Sequence, residues 1–175
     1  MTALALHERL RYDIANGQVL DADRRYVLLR ADVLMGIFEG LSPGASQDAM
    51  NAFRDSVSRY GSASVRAYKN PADTDGSQLL STVAAGAASL GWGRWEIESD
   101  GDTCRLRVHN SPFAQAHLAQ EKACAPIVGM FSAVCSHVWQ ERVLARELRC
   151  FACESPSARA ATGVCTFEAT RQRST

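Results

Sequence analysis

Neither sign of charge is in excess in this 175-residue chain: 19 lysines and arginines stand against 19 aspartates and glutamates. No run of like charges occurs either. A nucleic-acid binder neutralises phosphates with a basic excess or stripe, and this sequence has neither, so no direct nucleic-acid partner is expected. No segment approaches the roughly 18 uninterrupted apolar residues of a membrane-spanning helix. The first residues, Met1 to Arg9, lack a basic stretch ahead of an apolar core, so no secretory signal is read there. The expected compartment is the cytoplasm, where the six cysteines stay reduced. There is no Gly-x-Ser-x-Gly elbow, no His-Glu-x-x-His, no phosphate-cradling loop and no complete dinucleotide fingerprint. Gly91-Trp92-Gly93 matches half of such a fingerprint but precedes a strand. No nucleophile constellation is visible, and nothing here reads as a nicotinamide or flavin site.

What is present is ordinary globular composition, 46% hydrophobic and 22% charged. At this length roughly 70% of the unfolded surface can be buried, enough for a core without disulfides. One domain over 1–175 is expected, with 1–15 as an N-terminal extension and 171–175 as a tail. Residues 17–30 read as a hairpin of short strands, with Tyr26 to Leu29 as the second. Val33, Leu34, Ile37, Phe38 and Leu41 mark a helix, ended by Ser42-Pro43-Gly44. A second helix opens near Ser46 and carries Met50, Phe53, Val57 and Tyr60. Residues 70–76 form a polar loop. A helix over 77–90 has small residues, Ala84 to Ala88, that would admit a second backbone. A hairpin follows, with Trp95 and Ile97 sharing a face, and Cys104, Leu106 and Val108 sharing another. Pro126 suits the first turn of a helix whose apolar face is Ile127, Met130, Phe131, Val134 and Val138. Strands over about 142–151 and 163–170 close the chain. Grouped helices and paired strands, without strict alternation, predict an α+β fold: an antiparallel sheet packed with helices on one side.

The chemistry concentrates in Cys124, Glu147, Cys150 and Cys165. Thiolates are soft anionic donors suited to zinc, and one carboxylate can complete a tetrahedral shell. Cys124 falls at a helix N-terminus, where free N–H groups favour a thiolate. Glu147 and Cys150 are three apart on a strand, so an ideal strand points them to opposite faces. Both can reach one ion only if the strand bends, bulges or ends between them. Cys153 competes, because Cys150-x-x-Cys153 is itself a metal spacing. The rival reading is packing, since free cysteine is often buried as a small apolar group. Cys104 and Cys135 sit on apolar stripes and read as core.

The stretch over about 91–167 resembles the 4-vinyl reductase domain family. The blocks that carry the likeness are Trp92-Gly93-Arg94-Trp95-Glu96, then Val108-His109-Asn110-Ser111-Pro112-Phe113-Ala114, then Cys124 with Gly129 downstream. The last block is Glu147-Leu148-Arg149-Cys150-Phe151-Ala152 followed by Gly163-Val164-Cys165-Thr166-Phe167. The family includes a bacteriochlorophyll-biosynthesis protein and the phenol- and toluene-sensing domains of bacterial activators. A related fold serves vesicle-tethering complexes. The resemblance implies zinc held by Cys124, Glu147, Cys150 and a final cysteine. The family's gap between the last two cysteines is usually short. Here it is long, so Cys165 and Cys153 both stand as the fourth ligand. Four protein ligands leave no open position, which makes the site structural.

The resemblance also implies an apolar pocket between sheet and helices, with Trp95, Phe113, His117, Phe131 and Trp139 as candidate ligand contacts. The expected function is a zinc-stabilised sensor or carrier of a hydrophobic or aromatic small molecule, non-catalytic alone. It would act as a homodimer or through a protein partner. The alternative is an enzyme or accessory subunit of tetrapyrrole metabolism, with Cys135, Cys150 or Cys153 binding haem. A third is an assembly factor on the tethering-complex fold.

Overall fold

The turn Asp100-Gly101-Asp102 joins two strands by its own hydrogen bonds. Thr103 N–H donates to the Asp100 carboxylate at 2.9 Å and Asp100 N–H to the Thr103 carbonyl at 3.0 Å. Gly101 supplies the positive φ of 92° that the turn needs. The strands are β4, Arg94–Ser99, and β5, Thr103–His109. The computed structural model describes residues 6–68, apart from the Tyr68 side chain, and 76–116, 122–155, 157 and 163–171.

Pairing of Trp95 with Val108, Ile97 with Leu106 and Ser99 with Cys104 sets one row of side chains inward. Glu96 and Arg107 pair on the opposite face, as do Glu98 and Arg105. The final strand β7, Val164–Thr170, continues the alternation against β5, with Leu106 beside Phe167 and Val108 beside Cys165. β6, Arg146–Arg149, completes a four-stranded antiparallel sheet of order β4-β5-β7-β6. Its wet face carries an ion pair of Arg146 with Glu168 at 2.7 Å and a hydrogen bond between His109 and Glu96 at 3.1 Å. Exposed pairs of this kind contribute little to stability.

The other face is covered by helices. α6, Ala125–Trp139, has Pro126 in its first turn and buries Ile127, Phe131, Val134 and Cys135 in the core. The long helix α3, Pro43–Tyr68, packs along it. It starts three residues before the expected Ser46 because proline fits the first helical turn. α2, Ala31–Glu39, α4, Ser77–Ser89, and the short α5, Pro112–Ala116, complete the layer. Phe38 stacks on Phe53, and Phe53 and Trp92 each meet Phe113 edge-on, at centroid distances of 6.2, 6.2 and 5.2 Å. These rings tie α2, α3 and α5 to the start of β4. The α+β class, with an antiparallel sheet and helices on one face, is the class the sequence predicts.

A second, smaller sheet lies near the N-terminus. β1, Arg11–Asp13, pairs with β2, Gln18–Asp21, which pairs with β3, Arg24–Tyr26. The expected strand over residues 26–29 therefore ends at its first residue. Gly17, at φ 62°, turns the chain away just before β2, so β3 has no partner past Tyr26. Ahead of this sheet, helix α1, Leu6–Arg9, contacts α4. Arg9 grips the buried Asp21 carboxylate through two bonds, at 3.1 and 2.9 Å. The strand expected over 142–151 is also shorter. Residues 143–145 are fastened instead to α6, where the hydroxyls of Ser136 and Ser132 accept from Val143 N–H and Ala145 N–H, both at 2.9 Å. The polar loop expected over 70–76, except Gly76, lies outside the described residues, as do 1–5, most of 156–162 and the tail past 171.

The backbones of α6 and α3 approach closely at Gly129. A Cβ built there would lie 2.2 Å from the Arg54 carbonyl oxygen and 3.2 Å from Ser58 N, both backbone atoms of α3. The small residues of α4 do not play the expected part at Gly86, where a built Cβ meets nothing within 4 Å.

Candidate metal centre and ligand cavity

Four side chains from three elements converge at one end of the main sheet. Cys124 caps α6, Glu147 sits in β6, Cys150 follows β6, and Cys165 points inward from β7. One ligating atom from each lies within 4.8 Å of all the others, and all four residues are buried. Cys153 is exposed on a 3-10 turn, Phe151–Cys153, and is not in the group. The fourth member is thus Cys165.

A bulge solves the parity problem between Glu147 and Cys150. Glu147 pairs with Phe167, whereas Arg149 pairs with Thr166, so two steps along β6 match one step along β7. The surplus residue is Leu148, half exposed at 49%. One further step of this register sets Cys150 beside Cys165 and returns it to the face of Glu147. Without the bulge, Cys150 would point toward the wet side.

The donors fit a dication. A tetrahedral zinc–thiolate shell with bonds of about 2.3 Å sets its sulfurs about 3.8 Å apart, and Cys124 Sγ lies 3.6 Å from Cys165 Sγ. Surrounding groups steady the sulfurs. Ser111 Oγ lies 3.3 Å from Cys124 Sγ, and Phe151 N–H donates to Cys165 Sγ at 3.4 Å. Such contacts fix ligand orientation in metal sites. Glu147 Oε1 is buried with no hydrogen-bond partner among the described residues. A buried carboxylate oxygen left unpaired is costly, and ligation is one way to satisfy it.

Electrostatics point the same way. Burial first, and then Cys150, push the Glu147 carboxyl up to about 9. Neighbouring Cys150 and Cys165, with burial, raise the Cys124 thiol. Cys124 draws Cys165 down, but Cys150 and burial outweigh it and leave that thiol at about 12. Cys150 alone is shifted down, because Cys124, Cys165 and the backbone N–H groups of Ala123 and Ala152 hydrogen-bond its sulfur. Left to itself the cluster thus supports one thiolate. A dication would let all four groups ionise together.

Cys104 and Cys135 are both fully buried in the core, as their apolar stripes imply. Their thiols meet each other: Cys135 draws the Cys104 thiol down to about 7, and Cys104 raises that of Cys135.

A cavity of about 550 Å³ opens between α3, α4 and β3. Its walls are mostly apolar, including Val57, Val65, Val83, Leu90, Trp92 and Met130. None of the expected ligand contacts within the described residues lines this cavity. Trp95, Phe113, Phe131 and Trp139 lie in the core. Trp95 Nε1–H donates to the Trp92 carbonyl at 3.2 Å, a role internal to the fold. Phe113 reaches the cavity only through Trp92. His117 lies outside the described residues. Sequence reasoning missed Val57, Val83, Leu90 and Met130 because apolar residues at helical spacing read equally as core. α6 links the two sites: Met130 lies six residues, about 9 Å of helix, beyond Cys124.

No family model and no curated protein sequence matches the chain. The fold is nevertheless that of the 4-vinyl reductase-like domains. It is similar to the phenol-responsive sensory domain of the transcription activator PoxR, solved with phenol. The TM-score is 0.77 at 18% identity, over 95% of this chain and 86% of that one. It is also similar to a vinyl-4-reductase family protein from Methanocaldococcus jannaschii, with TM-score 0.52 and 12% identity. That match covers 82% of this chain and 91% of the other. These similarities support, at the level of fold, the resemblance read from the sequence blocks. No helix among the described residues is long and apolar enough to cross a membrane.

Proposed function

We propose that this chain is a zinc-stabilised small-molecule-binding domain, a sensor or carrier of a hydrophobic or aromatic ligand, with no catalysis of its own. The observation that carries the reading is the convergence of Cys124, Glu147, Cys150 and Cys165 with an unpartnered Glu147 oxygen. Zinc would be held by four protein groups, fixing the N-terminal end of α6 against β6 and β7. The cavity and the fold shared with a phenol-responsive sensory domain support the ligand-binding half. Its setting would be the cytoplasm, where thiolate ligands stay reduced.

The test is metal analysis and an absorption spectrum of the purified protein, followed by a thermal-shift screen of phenols, other small aromatics and porphyrins. Stoichiometric zinc, a colourless protein and a shift with an aromatic compound are expected. A ligand at about 100 times its dissociation constant adds about 2.7 kcal/mol. A Soret band would replace this reading with the haem-linked one. Zinc without any shift would remove the ligand-binding half.

The homodimer belongs to the same proposal. Val27, Leu28 and Leu29 are exposed, and Val33, Ile37 and Leu41 follow at four-residue spacing on the outer face of α2 and the turn beyond it. Monomers rarely expose such a continuous apolar stretch, and zero net charge sets up no repulsion between copies. The occupant we assign is a second copy of this chain. Sedimentation should give a dimer for the wild type and a monomer with intact zinc for Ile37→Glu. A monomeric wild type at tens of micromolar would overturn the assignment.

A further inference from the structure

The cavity between α3, α4 and β3 is apolar along its helices but not at its β3 side. Arg24 and Arg25 both line it, and no aspartate or glutamate does. Arg24 is one-third exposed and donates to Ser64 Oγ at 3.4 Å, while its nearest carboxylate, Asp23, is 3.9 Å away and almost fully solvated. Arg25 makes one long bond, 3.4 Å, to the Gly17 carbonyl, and pairs with no carboxylate among the described residues. Several other arginines are matched to carboxylates, Arg9 with Asp21, Arg30 with Asp32, Arg94 with Glu96, Arg146 with Glu168 and Arg149 with Glu154. Arg24 and Arg25 alternate on β3, so it is the half-buried Arg24, weakly satisfied and beside Ser64 of α3, that makes the apolar chamber amphipathic. A planar fork of N–H donors recognises a carboxylate better than it recognises a neutral hydroxyl.

We infer that the cavity takes a small organic monocarboxylate, its acid group at Arg24 and its apolar body against Val57, Val83, Leu90 and Met130. This rests on the small-molecule-binding reading and narrows it from hydrophobic compounds in general to amphipathic anions. The volume of about 550 Å³ lies within the range of pockets that enclose such ligands. Ser56, Tyr60 and Ser64 also line the cavity and carry hydroxyls that can serve further oxygens.

The experiment is calorimetric titration of the zinc-loaded full chain with matched pairs: benzoate against benzyl alcohol, and octanoate against octanol. At least tenfold tighter binding of one acid over its alcohol is expected, and which acid wins tells an aromatic body from an aliphatic one. Arg24→Gln should erase that preference while leaving zinc content unchanged. Gly86→Leu supplies the second arm, because Gly86 lines the cavity and a side chain there meets open space. It should abolish binding of acid and alcohol alike without lowering the melting temperature. Equal binding of acids and alcohols, lost in Gly86→Leu, would overturn the anion assignment and leave the cavity as a neutral-ligand site. Acid binding that survives Gly86→Leu would overturn the cavity assignment. No binding of any of the four would sink both.

Discussion

Replacing Cys150 by serine is expected to strip zinc from the protein and to lower its stability by about 5 kcal/mol or more. Cys150 is the one group of the four whose sulfur is already favoured as thiolate, through bonds from Cys124, Cys165 and two backbone N–H groups. A serine hydroxyl keeps the shape but gives up the soft anionic donor. Metal binding free energy is folding free energy in a site whose ligands lie 41 residues apart in sequence, from Cys124 to Cys165. At this chain length about 5 kcal/mol corresponds to a fall of roughly 10–20 °C in melting temperature. Cys135→Ser is the control: it is equally buried but sits in the core beside Cys104. It should keep full zinc and lose only about 1–3 kcal/mol, the cost of burying a hydroxyl with partial compensation. Adding a chelator should then bring the wild type down to the Cys150→Ser melting temperature and leave that variant unmoved. Equal losses in both variants, with zinc retained in both, would show that the cluster is ordinary packing.

The contrast between these cysteines was open to sequence reasoning in part. Cys104 shares its strand face with Leu106 and Val108, and Cys135 lies on the apolar stripe of α6, so period alone assigns both to the core. Cys124 before Pro126 was legible as a helix N-terminus for the same kind of local reason. The joint reach of Glu147 and Cys150 was legible only as a condition, that the strand must break its alternation. The bulge at Leu148 depends on pairing with β7, which no local pattern encodes. Cys165 and Cys153 could not be separated by spacing, because the choice is made by which strand face and which 3-10 turn they occupy. The cavity between α3, α4 and β3 was the least legible. Met130 and Val83 carry the same helical period as Phe131 and Leu79, yet Met130 and Val83 line a chamber, Val83 while also part of the core, and Phe131 and Leu79 do not. Which apolar position meets a void is decided by how far apart α3 and α4 sit, a tertiary distance.

The seat of α3 depends in turn on its close approach to Gly129 of α6, and Gly129→Ala is expected to cost about 3 kcal/mol. In an isolated helix the change would be favourable by up to about 1 kcal/mol, since glycine is the poorer helix former. Here the new methyl would stand 2.2 Å from the Arg54 carbonyl oxygen and 3.0 Å from its carbon. Neither atom can rotate aside, so α3 must back away from α6 along its length. α3 carries Val57, Tyr60 and Val65 of the cavity wall, whereas all four cluster residues lie on α6, β6, β7 and the segment after β6. The variant should therefore keep its zinc, lose stability, and bind cavity ligands more weakly. Gly86→Ala gives the opposite sign from the same chemistry: its methyl meets nothing within 4 Å, so helix propensity is left to act and about 0.5–1 kcal/mol should be gained. Urea denaturation of the two variants, with zinc measured on each, checks the pair. A Gly129→Ala protein as stable as the wild type would mean that α3 and α6 are not in close backbone contact, and the cavity would lose the wall that defines it.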